Sequence, residues 1–170
     1  MTDDPPSKTQ SPGLISSMSS DGALLVVLGN SLSAIDAGRL EILRHLEPRA
    51  LSTAAINRFE VIFEELISNT LRHGFTPHVD QRIRVRVASR PGTIELTIED
   101  EGTPFNPLDM PPPPPFESLE TIRIGGLGIP LVRDLSTDIR YEAIHPGGAV
   151  VEMDGRRFDP RNRLTVSIAA

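Results

Sequence analysis

The chain has 170 residues, 38% of them hydrophobic, 24% charged and only 4% aromatic, a globular composition long enough to bury a core. A net charge of −6 argues against a general nucleic-acid binder, whose footprint is a basic stripe. Cysteine is absent, which excludes a disulfide framework or thiolate metal site, and no apolar run approaches the roughly 20 residues needed to cross a bilayer.

Residues 1–20 are rich in Ser, Pro and Asp and are expected to form a disordered tail, without the apolar stretch of a secretory signal; a cytoplasmic location is the default. Gly22 to Leu28 is an apolar run of strand length. Asn30 or Ser31 is then placed to cap a helix through about Leu46, with Leu32, Ile35, Leu40, Leu43 and Leu46 as its apolar stripe and Pro48 as its stop. Ser52 is expected to cap a second helix running to about His73, closed by Gly74. In that helix Phe59, Ile62, Phe63, Leu66, Ile67 and Thr70 share one arc, and Glu65, Asn69 and His73 stack on one line at its edge. The line is either a solvated flank or the wall of a cleft offering a carboxylate and a carboxamide one turn apart.

Arg82 to Ser89 alternates, with Ile83, Val85 and Val87 inward and arginines outward, either a phosphate-binding face or ordinary surface. Arg90-Pro91-Gly92 makes the turn of a hairpin whose second strand, Thr93 to Glu99, turns Ile94, Leu96 and Ile98 inward. No regular period holds from Phe105 to Gly125, and Pro111 to Pro115 is a polyproline segment. This predicts a functional lid at about 105–125, with a linker or a docking segment for a proline-recognising module as the other readings. Leu127 to Leu135 reads as a helix opening from a glycine cluster, and Thr137–Ala143, Ala149–Met153 and Leu164–Ala169 as strands that complete a sheet.

Two motifs carry chemistry. In Glu99-Asp100-Glu101-Gly102-Thr103-Pro104-Phe105, a carboxylate at a strand end is followed by a glycine turn. It can accept a hydrogen bond from an exocyclic amine, selecting adenine over guanine, or it can satisfy its own turn. Gly125-Gly126-Leu127-Gly128 before a helix is either a phosphate cradle or a tight turn. His45, His73, His78 and His145 form no sequence-spaced metal cluster and read as structural or surface residues.

In this order, Glu65-x-x-x-Asn69, Asp100-x-Gly102-x-Pro104-Phe105 and Gly126-x-Gly128 resemble the N, G1 and G2 boxes of the Bergerat-fold (GHKL-type) ATPases. Pro104-Phe105, the compact lid, Gly-Gly-Leu-Gly-Ile with Leu131-Val132, and Asn162-Arg163-Leu164-Thr165 resemble the bacterial anti-sigma-factor serine/threonine kinases within them, over roughly residues 22–169. The resemblance implies a two-layer α/β sandwich, a mixed, mostly antiparallel sheet covered on one face by three helices, spanning 21–170 as one ATP-binding kinase domain. It implies ATP and Mg²⁺ as cofactors, with Asn69 the Mg²⁺ ligand and Glu65 the general base. Asp100 would read adenine, Gly102 allow close approach and Thr165 help through a water, while Gly126, Leu127 and Gly128 offer backbone N–H groups to the phosphates. The implied partners are a STAS-domain anti-sigma-factor antagonist and a sigma factor, with no direct nucleic-acid or membrane partner and a homodimer left open. A non-catalytic ATP-dependent switch and the ATP-binding part of a split histidine kinase are the alternatives. Two features depart from the pattern: Pro104 replaces a superfamily glycine, and His145 to Pro160 is longer than the usual hairpin.

Overall fold

Alternating apolar residues on successive strands build one open sheet. The computed structural model describes residues 13–20, 22–76, 79–109, 128–153 and 155–170. The strands are β1 (Leu14–Ser20), β2 (Ala23–Gly29), β3 (Arg82–Arg90), β4 (Thr93–Asp100), β5 (Asp138–Ala143), β6 (Val151–Met153), β7 (Arg156–Phe158) and β8 (Asn162–Ala169). Six of them form the sheet, in the order β1-β2-β3-β4-β8-β5, and each neighbouring pair is antiparallel. The helices α1 (Ser33–Leu46), α2 (Thr53–Asn69) and α3 (Gly128–Leu135) complete the two-layer α/β sandwich. None of the described helices is long and apolar enough to cross a membrane.

The core lies between sheet and helices because period two on the strands meets period 3.6 on α2. Val26 and Leu28, Ile83 and Val85, Leu96 and Ile98, Val166 and Ile168 are all buried on the strand side. Phe59, Ile62, Phe63, Leu66 and Ile67 of α2 meet them, the arc expected from the sequence. The Phe59 and Phe63 rings stack with centroids 5.8 Å apart. On the opposite face Arg84, Arg86 and Arg163 are matched by carboxylates. Arg84 Nε donates to Glu99 Oε2 at 2.5 Å, Arg163 Nε to Glu99 Oε1 at 2.7 Å, and Arg86 Nη1 lies 3.3 Å from Glu95 Oε1. The basic strand face is therefore ion-paired surface.

The structure corrects three expectations. Leu14–Ser20 is not disordered: it pairs with β2 as an edge strand, mostly exposed along its second half. Such a strand needs only a partner for its backbone and little burial of its own, so its serines are tolerated. Residues 1–12 lie outside the described residues. The cap of α1 is neither Asn30 nor Ser31. The helix starts after Leu32 without a side-chain cap, while Asn30 Nδ2 donates to the Val79 carbonyl at 2.7 Å and Ser31 Oγ lies 2.9 Å from Ser33 Oγ. Finally, β6 does not join the main sheet but pairs with β7 in a ladder of its own, Val151 opposite Phe158. Ser52 does cap α2, accepting from Ala55 N at 3.1 Å, and the helix runs on into a π-helical turn, Thr70–Gly74, that ends at the expected glycine.

Candidate nucleotide site

The Asp100 loop is held against the end of α2 by close backbone contact. Thr103 N donates to Gly74 O at 2.9 Å. A Cβ on Gly102 would lie 2.4 Å from that carbonyl oxygen and 2.8 Å from Asp100 Oδ1, so no larger residue fits. Asp100 Oδ1 accepts from Gly102 N at 2.8 Å, the local turn bond anticipated in the sequence. It also accepts from Asn162 Nδ2 at 2.8 Å. Burial pushes the Asp100 carboxyl above the usual carboxylate range, while the bonds from Asn162 and Gly102 favour the ionised form and limit the rise.

Asn162 is the hub of this wall. Its Oδ1 accepts from Tyr141 Oη at 2.7 Å and from Phe105 N at 3.1 Å, while its Nδ2 also approaches Thr103 O at 3.3 Å. Burial, together with the Asp100 charge, raises the Tyr141 hydroxyl. Asp100, Asn162 and Tyr141 open, with Asn69, Phe105 and Leu164, onto one pocket between the end of α2 and the sheet. Asn69, the last residue of α2, thus faces the same space as Asp100.

Glu65 lies one turn earlier on α2, half-buried against the start of α3. A Cβ on Gly128 would fall 2.3 Å from Glu65 Oε2, so this glycine is where the third helix meets the carboxylate. Of the residues singled out in the sequence, the structure gathers Glu65, Asn69, Asp100, Gly102 and Gly128 at one end of the sandwich. Gly126 and Leu127 lie outside the described residues, as do the five-proline run and the expected lid beyond Asp109.

Thr165 is the exception. It lies on the face of β8 opposite the pocket, opposite Thr97 on β4 and beside Arg84 and Glu99, because side chains alternate along the strand. Asn162 and Leu164 face the pocket instead. Sequence reading quoted Asn162 and Phe105 within the family motifs but gave them no role, and it did not single out Tyr141. A signal for the first was present: Asn162 continues the buried register of Leu164, Val166 and Ile168, so a polar residue was due on an apolar face.

Comparison with known proteins points the same way. The family described as the histidine kinase-like ATPase domain matches residues 30–154. The chain is 28% identical to the serine-protein kinase RsbW of Listeria monocytogenes over 110 residues, 62% of this chain and 70% of the relative. It is 28% identical to the serine/threonine-protein kinase BtrW of Bordetella bronchiseptica over 127 residues, 74% of this chain and 87% of the relative. The anti-sigma F factor of Heyndrickxia coagulans is 21% identical over 95 residues, 55% of this chain and 65% of the relative. The family match takes in α2, the Asp100 loop and α3 and ends before β8 with its Asn162, and the chain belongs to the histidine kinase-like ATPase domain family.

Proposed function

We propose that this chain is an ATP-dependent protein serine/threonine kinase of the anti-sigma-factor type, acting in the cytoplasm. It phosphorylates a STAS-domain anti-sigma-factor antagonist and sequesters a sigma factor. The observation that carries the nucleotide half is the buried Asp100 carboxylate, fixed by Asn162 and Gly102 in a pocket that Asn69 also lines. The names of the relatives, two of them kinases and one an anti-sigma factor, support the partner half.

In this reading Asp100 accepts from the exocyclic amine of adenine, and the tight Gly102–Gly74 contact keeps the loop backbone out of the base's way. The side-chain oxygen of Asn69, a residue that lines the pocket, is a hard ligand of the kind that suits Mg²⁺ retaining most of its waters. That ion, when bound, would offset phosphate charge. The backbone N–H groups of Gly126, Leu127 and Gly128 serve the phosphates at the start of α3. Glu65 takes the proton of the serine or threonine hydroxyl as its oxygen bonds to the γ-phosphorus and ADP leaves. Thr165, on the other side of the sheet, has no part in it.

The test is a phosphate-transfer time course beside a pull-down, with candidate STAS partners and sigma factors of the same genome. General-base help is worth roughly 10²–10⁴-fold. Glu65→Gln should therefore transfer phosphate at least ~100-fold more slowly than the parent while binding ATP and the sigma factor as well as the parent does. Equal transfer rates would remove Glu65 as the base. A parent that binds its partner in an ATP-dependent way yet transfers nothing would be a switch rather than a kinase.

A further inference from the structure

Behind the Asp100 loop, outside the pocket, sits the hairpin of β6 and β7. Neither strand is laddered to the main sheet, so the hairpin is held by side chains and irregular backbone. Phe158 is fully buried, with the Arg84 guanidinium carbon 5.2 Å above its ring centroid, and Arg84 in turn is bound to Glu99, the residue before Asp100. Arg156 bonds both the carboxylate and the carbonyl oxygen of Asp80 and reaches Glu101 Oε2 at 3.5 Å. Just past the hairpin, Asp159 N donates to Glu101 Oε1 at 3.2 Å and Arg161 N to Asp100 O at 2.7 Å.

Glu101 is the point where these contacts converge. Its side chain is only 13% exposed and does not line the pocket. Its Oε2 also accepts from Arg82 N at 3.0 Å, and its backbone carbonyl accepts from Gln81 Nε2 at 2.8 Å. The residue between Asp100 and Gly102 is thus fastened on three acceptor atoms from three parts of the chain: the lead into β3, the hairpin, and the segment after it. We propose that Glu101 is a positioning residue for the nucleotide loop, and that the hairpin 151–158 is the clamp that holds it through Arg156 and Phe158, so that nucleotide affinity is set partly from outside the pocket. This rests on the reading of Asp100 as the adenine acceptor. It also explains the long segment between β5 and β8, whose hairpin secures the loop from the outer side while Gly74 secures it from the inner side.

Amide hydrogen exchange on Gly102 and Thr103 reads the loop directly, because their N–H groups make the bonds to Asp100 Oδ1 and Gly74 O. Arg156→Ala and Glu101→Gln should each speed that exchange by about tenfold, leave the amides of the α2 core unchanged, and raise the ATP dissociation constant by about five- to tenfold. Arg156→Lys, which keeps the charge but loses the two-nitrogen fork, should recover only part of both effects. Exchange at the parent's rate in both alanine and glutamine variants overturns the proposal, and so does faster exchange with unchanged ATP affinity. If the parent itself binds no ATP, the adenine reading falls separately, and the exchange rates still decide whether the hairpin fixes the loop.

Discussion

In the proposed reading, Asp100 sets folding against binding. Its carboxylate is almost out of water, and burial raises its folded pKa above the unfolded value, against the two hydrogen bonds that favour the charge. The sign of the linkage follows. Between the unfolded and the raised folded value the native state holds a proton that the unfolded chain has lost, so stability falls as pH climbs through that window and stays lower above it. Replacing the charge with an amide removes this cost. Asp100→Asn keeps an oxygen for Gly102 N and Asn162 Nδ2 but turns an NH₂ toward the pocket, a donor facing the donor of adenine. The expected outcome is an apo protein at least as stable as the parent at neutral pH, with the advantage shrinking in acid. Its ATP binding should be weakened by about 1.5–3 kcal/mol, the worth of a hydrogen bond to a charged group. Thermal unfolding across pH beside calorimetry with ATP checks both halves; a variant that melts earlier than the parent at neutral pH would mean that the charge supports the fold.

The elements differ in how openly the sequence declares them. The hairpin of β3 and β4 was plain because the run from Arg82 to Asp100 alternates around a Pro-Gly turn, and Gly92 there takes a φ of +76° that suits it. α2 was plain for the same kind of reason: its apolar arc, its cap and its terminal glycine agree. β1 was hidden, because an edge strand of serines is specified by its neighbour's backbone rather than by its own burial. The bond between Asp100 and Asn162 was hidden too. They stand opposite each other across β4 and β8, and that register exists only once strands far apart in sequence have paired. Glu65 and Asn69 were legible as a line on α2, but the pocket at one end of that line was not. The cap of α2 gives a test at this scale. Ser52→Ala removes the acceptor for Ala55 N and should cost about 1 kcal/mol, lowering the midpoint of thermal unfolding by about 2–4 °C in a chain of this size. ATP affinity measured well below the transition should not change, since Asn69 lies at the far end of the helix. A loss of affinity there would mean that α2 moves as one rigid lever.

For the whole molecule, a net charge of −6 offers a nucleotide anion no long-range attraction, so affinity has to come from local contacts at one end of the sandwich. In the proposed reading those contacts come from pieces far apart in the chain that line one pocket: α2 through Asn69, the end of β4 through Asp100, and β8 through Asn162. A ligand that touches all of them binds the folded chain and not the unfolded one, and its binding free energy adds to global stability. At a hundredfold excess over the dissociation constant that amounts to about 2.7 kcal/mol. For a domain of 170 residues, with about 2–4 °C per kcal/mol, ATP with Mg²⁺ should raise the melting midpoint by about 5–10 °C. ADP at the same multiple of its own dissociation constant should do the same, because the adenine contact is common to both. GTP offers a carbonyl where adenine offers an amine, and loses about 1.5–3 kcal/mol of binding against the Asp100 carboxylate. At the ATP concentration its shift should therefore be no more than about half as large, and in Asp100→Asn the preference for ATP should disappear. Equal shifts from ATP and GTP in the parent would show that the pocket does not read the base through Asp100.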